Sequence, residues 1–454
     1  MHPPDNLKNA ARRIFAETLA GIDVAETLRR KLARDGPCIC CDGEVIDLSR
    51  YARICVVALG KASYAMAEGL VTLLEPDFLA SGIIVAPAPA ATETAIPRQT
   101  QHGPPGFTVF RAGHPVPNEQ SFAAARAILD LLSRCDERTL VFFLISGGGS
   151  ALVELPLDPA IQLSDVQTLN RLLVGCGAPI DAINAVRKHL SAVKGGRLAA
   201  AAGAATKVTL GITDVPAGRE SALASGPTLP DPTTVEDVRS VIEKYGLLAK
   251  LPTSIRAKFE RGDTLSETPK KNDPAFGNAH FEILLGMHDL FHHAHIASEG
   301  AGFITVCDDT TDDWPLDRAA EYLLGQLGQI RAENPNHAVA LISDGEVSSP
   351  VRGSGVGGRN SAFVLECVER IAGQNVAVLS AGTDGIDGVS PAAGAVADGA
   401  TFGRARTSGL DPRESAQRSD SYTFFNALGD AVVTGPTGNN LRDLRLLLAA
   451  PQMK

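Results

Sequence analysis

The chain has 454 residues, 44% of them hydrophobic, and a formal net charge of −10. That is too long for one hydrophobic core and rich enough in apolar residues for two well-packed domains. The acidic balance argues against a nucleic-acid binder, which needs an electropositive face. The segment "MHPPDNLKNAARRIFAETLAGIDVAETLRRKL" is charged throughout, and no run of 18 apolar residues occurs, so neither signal peptide nor membrane span is expected and the protein reads as cytoplasmic.

Taken in chain order, short apolar runs alternate with helical stretches. "ARICVVALG" precedes "KASYAMAEGLVTLL", and "TLVFFLISGGG", "KVTLGIT", "GFITVCDD", "HAVALISDG" and "NVAVLSAGTDG" follow. Strands interleaved with helices predict an α/β fold: two α/β domains with mostly parallel sheets and an active-site cleft between them. The expected division is a first domain over 1–255, a linker over 256–279 that includes the polar stretch "RGDTLSETPKKNDPAFGN", and a second domain over 280–454. "APAPAATETAIPRQTQHGPPG" is read as a surface loop of the first domain. Eight cysteines in so large a chain do not suggest a disulfide framework. Cys38, Cys40 and Cys41 lack a second Cys or His pair at zinc-finger spacing, and His288, His292 and His295 read as a solvated helix face.

Glycine-rich turns at strand ends are where an α/β protein binds phosphate. In "FFLISGGGSAL" the candidates are Ser146, Gly147, Gly148, Gly149 and Ser150, but no Walker lysine follows them. Positive charge could come from Lys61 in "VALGKAS", Arg197 in "VKGGRLA" and Arg359 in "GVGGRNSA". Each is a cation after glycine at an expected helix start, disfavoured by the helix dipole unless an anion binds there. Gly357 and Gly358 belong to the same pattern. "GSGVGG" also satisfies G-x-G-x-x-G, but "EVSSPVR" separates it from the preceding strand, unlike a dinucleotide turn. It reads instead as a flexible cover whose N–H groups approach phosphate. Asp214 and Asp384 end strands, each as a metal ligand, a base or the anchor of an Asx-turn. His114, in a proline-bounded loop, could contact substrate or be structural, and Asn184, Lys194 and Arg197 could clamp a phosphate or carboxylate.

Across nearly the whole chain, in order, "VALGKAS", "GHPVPNEQS", "FLISGGGSAL", "INAVRKHLSAVKGGRLA", "ITDVPAGRESALASGPTLPD", "VRGSGVGGRN", "GTDGIDG" and "DSYTFFNALGDAVVTGPTGNNLRDL" resemble the glycerate 2-kinase family, whose C-terminal half is called MOFRL. The resemblance implies phosphorylation of D-glycerate at its 2-hydroxyl with ATP and Mg²⁺, and it carries the family's catalytic Lys, Asp and Arg onto Lys61, Asp214 and Arg359. Members also bear the label hydroxypyruvate reductase, so a nicotinamide-dependent reductase is the alternative. Glycerate is the expected partner, with no nucleic acid or membrane, and a homodimer is a further expectation. The chain departs from the family pattern at Asp344, Ser361, Val389 to Pro391 and Asn439.

Overall fold

The computed structural model describes residues 6–41, 43–88, 103–213, 215, 218–260, 265–439 and 441–452. They divide into two compact units, one of residues 24–284 and the other of residues 1–23 with 285–454.

The first unit opens with a small antiparallel sheet of β1 (Arg34–Asp35), β2 (Cys38–Cys41) and β3 (Glu44–Asp47). Its main sheet comprises β4 (Arg53–Leu59), β5 (Ala80–Pro87), β6 (Phe107–Ala112), β7 (Thr139–Ile145), β8 (Thr206–Ile212) and β9 (Ala279–Leu285). Their order is β6-β5-β4-β7-β8-β9, and the neighbours from β6 through β8 are all parallel. β7 is buried at every residue and β4 at all but the first, as helices on both faces require. The chain winds outward in one direction from β4 and in the other from β7, so the carboxyl ends of these two strands flank a topological switch point, the usual ligand position on such a sheet.

The second unit has β10 (Ile304–Asp308), β11 (Val339–Asp344), β12 (Val376–Gly382), β13 (Gly394–Asp398), β14 (Ala431–Val432) and β15 (Asp443–Ala449), in the order β10-β11-β15-β12-β13-β14. Here the expectation of a mostly parallel sheet does not hold. β10 and β11 pair in parallel, but β15 lies antiparallel between β11 and β12, and β13 is antiparallel to both its neighbours. A fully buried apolar run carries no mark of strand direction, and β15 contains Asp443 and Arg445, which hide it as a strand.

The division of the chain also differs from the expected one. Helix Leu7–Gly21 belongs to the second unit: Leu7, Ala10, Ala11, Ile14, Phe15 and Thr18 form its buried stripe, and Lys8 pairs with Asp430 at 2.8 Å. Nor is the expected linker a spacer. Thr268 Oγ1 donates to Asp231 Oδ2, Lys207 Nζ donates to the Ala275 carbonyl, and Asp231 N–H donates to the Pro269 carbonyl, so one hydroxyl and two backbone carbonyls bind this stretch to the first unit. The division falls after Leu284.

Candidate functional site

In the first unit, two turns at the switch point are locked together. Lys61 N–H donates to the Gly147 carbonyl at 3.0 Å, and Ala62 N–H donates to Ser146 Oγ at 2.9 Å. Gly60, at φ +120°, sits so close that a Cβ there would lie 2.2 Å from Ser146 Oγ, which explains the glycine before Lys61. Lys61 immediately precedes the N-cap Ala62 of helix Ser63–Leu74, as the sequence suggests. Gly148 has φ +86°, and a Cβ on it would meet the His114 ring at 3.2 Å and the Lys61 side chain at 3.6 Å. Lys61, His114 and the glycine loop are therefore neighbours at the carboxyl edge of the sheet. Ser146 itself is fully buried and serves this lock. Gly147 contributes through its carbonyl, and Gly149 packs against Leu59 and Ala224.

Ser150 Oγ lies 2.8 Å from Ser225 Oγ, and Ser225 Oγ donates to Asn184 Oδ1 at 3.2 Å. Asn184 thus reaches the glycine loop through Ser225, a residue the sequence reading passed over; its only signal was a small-residue turn, "ASGPT".

Lys194 does not join them. It is 1% exposed, and its ammonium donates to Glu154 Oε2 at 2.7 Å and to the Val153 carbonyl, while Ser191 donates to Glu154 Oε1. Burial holds its pKa below the usual lysine value despite Glu154. A substrate role is therefore corrected to a structural one, because the charge is spent inside the fold. Lys194→Ala is expected to cost about 3–5 kcal/mol by leaving Glu154 buried and unpaired, read as a fall in Tm on thermal denaturation. Arg197 is half-buried, donates to the Glu267 carbonyl at 3.3 Å, and heads a helix of only five residues. Asp214 lies outside the described residues.

In the second unit, Arg359 is no solvated first-turn residue. Its Nε donates to Asp443 Oδ2 at 2.5 Å and its Nη1 to Glu346 Oε2 at 2.7 Å. Burial works against its charge, but the two carboxylates outweigh it and raise its pKa. The start of its helix, Arg359–Arg370, already holds an anion. Asp387, 1% exposed, accepts from the N–H groups of Asn360 and Ser361 at 2.9 Å and from Ser361 Oγ at 2.5 Å. Burial raises its pKa against the pull of these donors.

The glycines before this helix are closely packed. A Cβ on Gly357 would lie 2.2 Å from Ser421 Oγ, and one on Gly358 2.2 Å from Asp387 Oδ1. Gly355 N–H donates to the Arg418 carbonyl and Val356 N–H to Asp420 Oδ1. Close packing on residues 387–388 and 418–421 explains why glycine stands at 357 and 358. Asp384 Oδ1 accepts from Ile386 N–H at 3.0 Å, the Asx-turn arrangement. Among the described residues no three His, Cys, Asp or Glu side chains converge as a metal cage.

Asp344 lies beside this cluster, fully buried, with neither carboxylate oxygen hydrogen-bonded and Arg442 at 3.8 Å. Burial pushes its pKa from 3.8 up to about 6, against the pull of Arg442 and Arg445. Between those two values the folded state holds a proton that the unfolded chain has lost, so stability falls as pH rises through this window and levels off above it. The loss amounts to roughly 3 kcal/mol at most. Asp344→Asn should flatten that slope in denaturant titrations at pH 4 to 7.

The fold and the strand-end clusters define a two-unit α/β protein with a glycine loop and a lysine at a switch point. Residues 10–260 match a domain of unknown function (DUF4147), and residues 339–443 match the MOFRL family. The chain is 32% identical to a D-glycerate 2-kinase of Thermotoga maritima over 98% of its length and 99% of that protein, and 32% identical to a glycerate 2-kinase of Pyrococcus horikoshii over 97% and 96%. A relative from Agrobacterium vitis labelled hydroxypyruvate reductase is 38% identical over 87% of each chain. The crystal structure of a Thermotoga maritima glycerate kinase superposes with a TM-score of 0.80 at 32% identity, covering 98% of this chain and all of that one. The chain belongs to the glycerate 2-kinase family, with its MOFRL domain.

Proposed function

We propose that the chain transfers the terminal phosphoryl group of MgATP to the 2-hydroxyl of D-glycerate, giving 2-phosphoglycerate and ADP. The observation that carries this reading is a lysine beside a glycine turn at the switch point of the sheet, in a chain that aligns end to end with glycerate 2-kinases. Phosphoryl transfer asks a protein mainly for positioning and for stabilising charge.

Lys61 neutralises charge on the transferring group, and His114 beside it holds substrate oxygen. Asp214 takes the proton of the attacking hydroxyl or binds the metal of MgATP. Arg359, held rigid by Asp443 and Glu346, is the arginine of the family's catalytic set. Asp384 is left to its turn.

The test is a coupled ADP assay with D-glycerate, with phosphorus NMR to identify the product. ADP formation that requires glycerate and gives 2-phosphoglycerate is the expected result. The label on the Agrobacterium relative motivates one control, oxidation of NADH or NADPH by hydroxypyruvate. Reductase turnover without kinase turnover would overturn the proposal.

A further inference from the structure

The hydrogen bonds behind the glycine loop determine which way the Ser150 hydroxyl points. A serine hydroxyl has one hydrogen to give and two lone pairs. Either hydroxyl of the 2.8 Å pair Ser150–Ser225 could donate, and the Asn184 amide sets which does: with Oδ1 turned to Ser225, as it stands at 3.2 Å, Ser225 gives its hydrogen to Asn184 and accepts from Ser150. In that arrangement Ser150 donates to Ser225, and its oxygen has only lone pairs to offer in any other direction. Ser225 and Asn184 are 1% and 6% exposed, whereas Ser150 is partly open. The relay is therefore shielded behind and accessible in front. Its backbone is also held in place: Ala224 and Ser225 adopt φ values of +49° and +62°, which side chains other than glycine rarely take, and the Ser225 carbonyl accepts from Gly195 N–H.

An oxygen with no hydrogen to give repels phosphate and carboxylate oxygens and accepts from a hydroxyl. The expectation that the loop of Ser146 to Ser150 binds ATP phosphate through its backbone N–H groups leaves the role of the Ser150 hydroxyl open. Resting on the kinase reading, we propose that Ser150 recognises the 3-hydroxyl of glycerate, with Ser225 and Asn184 as positioning residues that keep its oxygen an acceptor. The 2-hydroxyl is the less suitable partner. It must lose its proton during transfer, which calls for a base, and a neutral serine oxygen is not one. The 3-hydroxyl keeps its proton throughout.

The experiment compares D-glycerate with D-lactate, which lacks only the 3-hydroxyl, as phosphoryl acceptors for the wild-type chain, Ser150→Ala and Ser225→Ala. Ser150→Ala is expected to lower the ratio of kcat/KM for glycerate over lactate by about tenfold, through KM for the acceptor, with KM for MgATP unmoved. Ser225→Ala should lower the ratio less, because Ser150 keeps its oxygen but regains a mobile hydrogen. An unchanged ratio, or a raised KM for MgATP in Ser150→Ala, would overturn the assignment and return Ser150 to the phosphates. Ligand-induced Tm shifts provide an arm independent of turnover. D-glycerate should raise the wild-type Tm more than D-lactate does, and Ser150→Ala should abolish the difference; equal shifts in the wild-type chain would overturn the proposal. A chain that shows this binding difference but transfers no phosphoryl group would overturn the kinase reading alone.

Discussion

Lys61→Ala is expected to lower kcat by about 10²–10³, the usual loss when one preorganised charge-stabilising donor is removed, and to leave the turn that carries it in place. The reason lies in how the residue is held. The hydrogen bond that ties its turn to the glycine loop comes from the Lys61 backbone N–H, and the neighbouring bond comes from Ala62, so truncating the side chain keeps both. What disappears is a cationic side chain whose stem runs beside Gly148, next to the His114 ring. Lys61→Arg should rescue poorly, since a planar guanidinium cannot occupy the position of a compact ammonium. Steady-state kinetics beside a thermal melt measure both effects. Near-normal turnover in the alanine variant would remove Lys61 from the mechanism.

Arg359→Ala should behave differently, because this residue carries structure as well as charge. Its guanidinium is the partner of Asp443, whose side chain is only 4% exposed, and of Glu346. Removing it leaves a carboxylate buried without its ion pair. The expected cost is about 1–3 kcal/mol, below that of a fully buried pair because the guanidinium is partly solvated. In the proposed reaction kcat falls by at least about a hundredfold while KM for MgATP changes little. Arg359→Lys separates the two roles: it restores charge and some stability but cannot reproduce the two-carboxylate clamp. A lysine variant with normal stability and normal turnover would show that charge alone is needed at this position. A defect confined to KM for nucleotide would assign Arg359 to ground-state binding.

Much of the candidate site was legible from local chemistry. A lysine directly after a strand-ending glycine, and a triple glycine directly after an apolar strand, specify tight turns whatever the rest of the chain does, and the parallel sheet then brings both turns to one edge. The arginine at the start of helix Arg359–Arg370 was recognised on the same ground, that a cation there opposes the helix dipole. Its actual partners could not be read locally. Glu346 and Asp443 are 13 and 84 residues from it, while Asp387 takes the N–H groups of the next two residues, and only folding brings these carboxylates to the helix start.

The amino-acid sequence by itself determined the α/β class, the strand-end turns and the family, because these rest on short-range patterns: apolar runs of strand length, obligatory glycines and ordered motifs. The tertiary structure decided which charges remain available for chemistry. Lys194 and Arg359 look alike in sequence, each a cation beside a double glycine, yet one is sealed against Glu154 and the other is braced at a partly open edge. Burial and pairing are sums over long-range neighbours, as is the direction of β15 between two strands that run the other way. No local pattern encodes them.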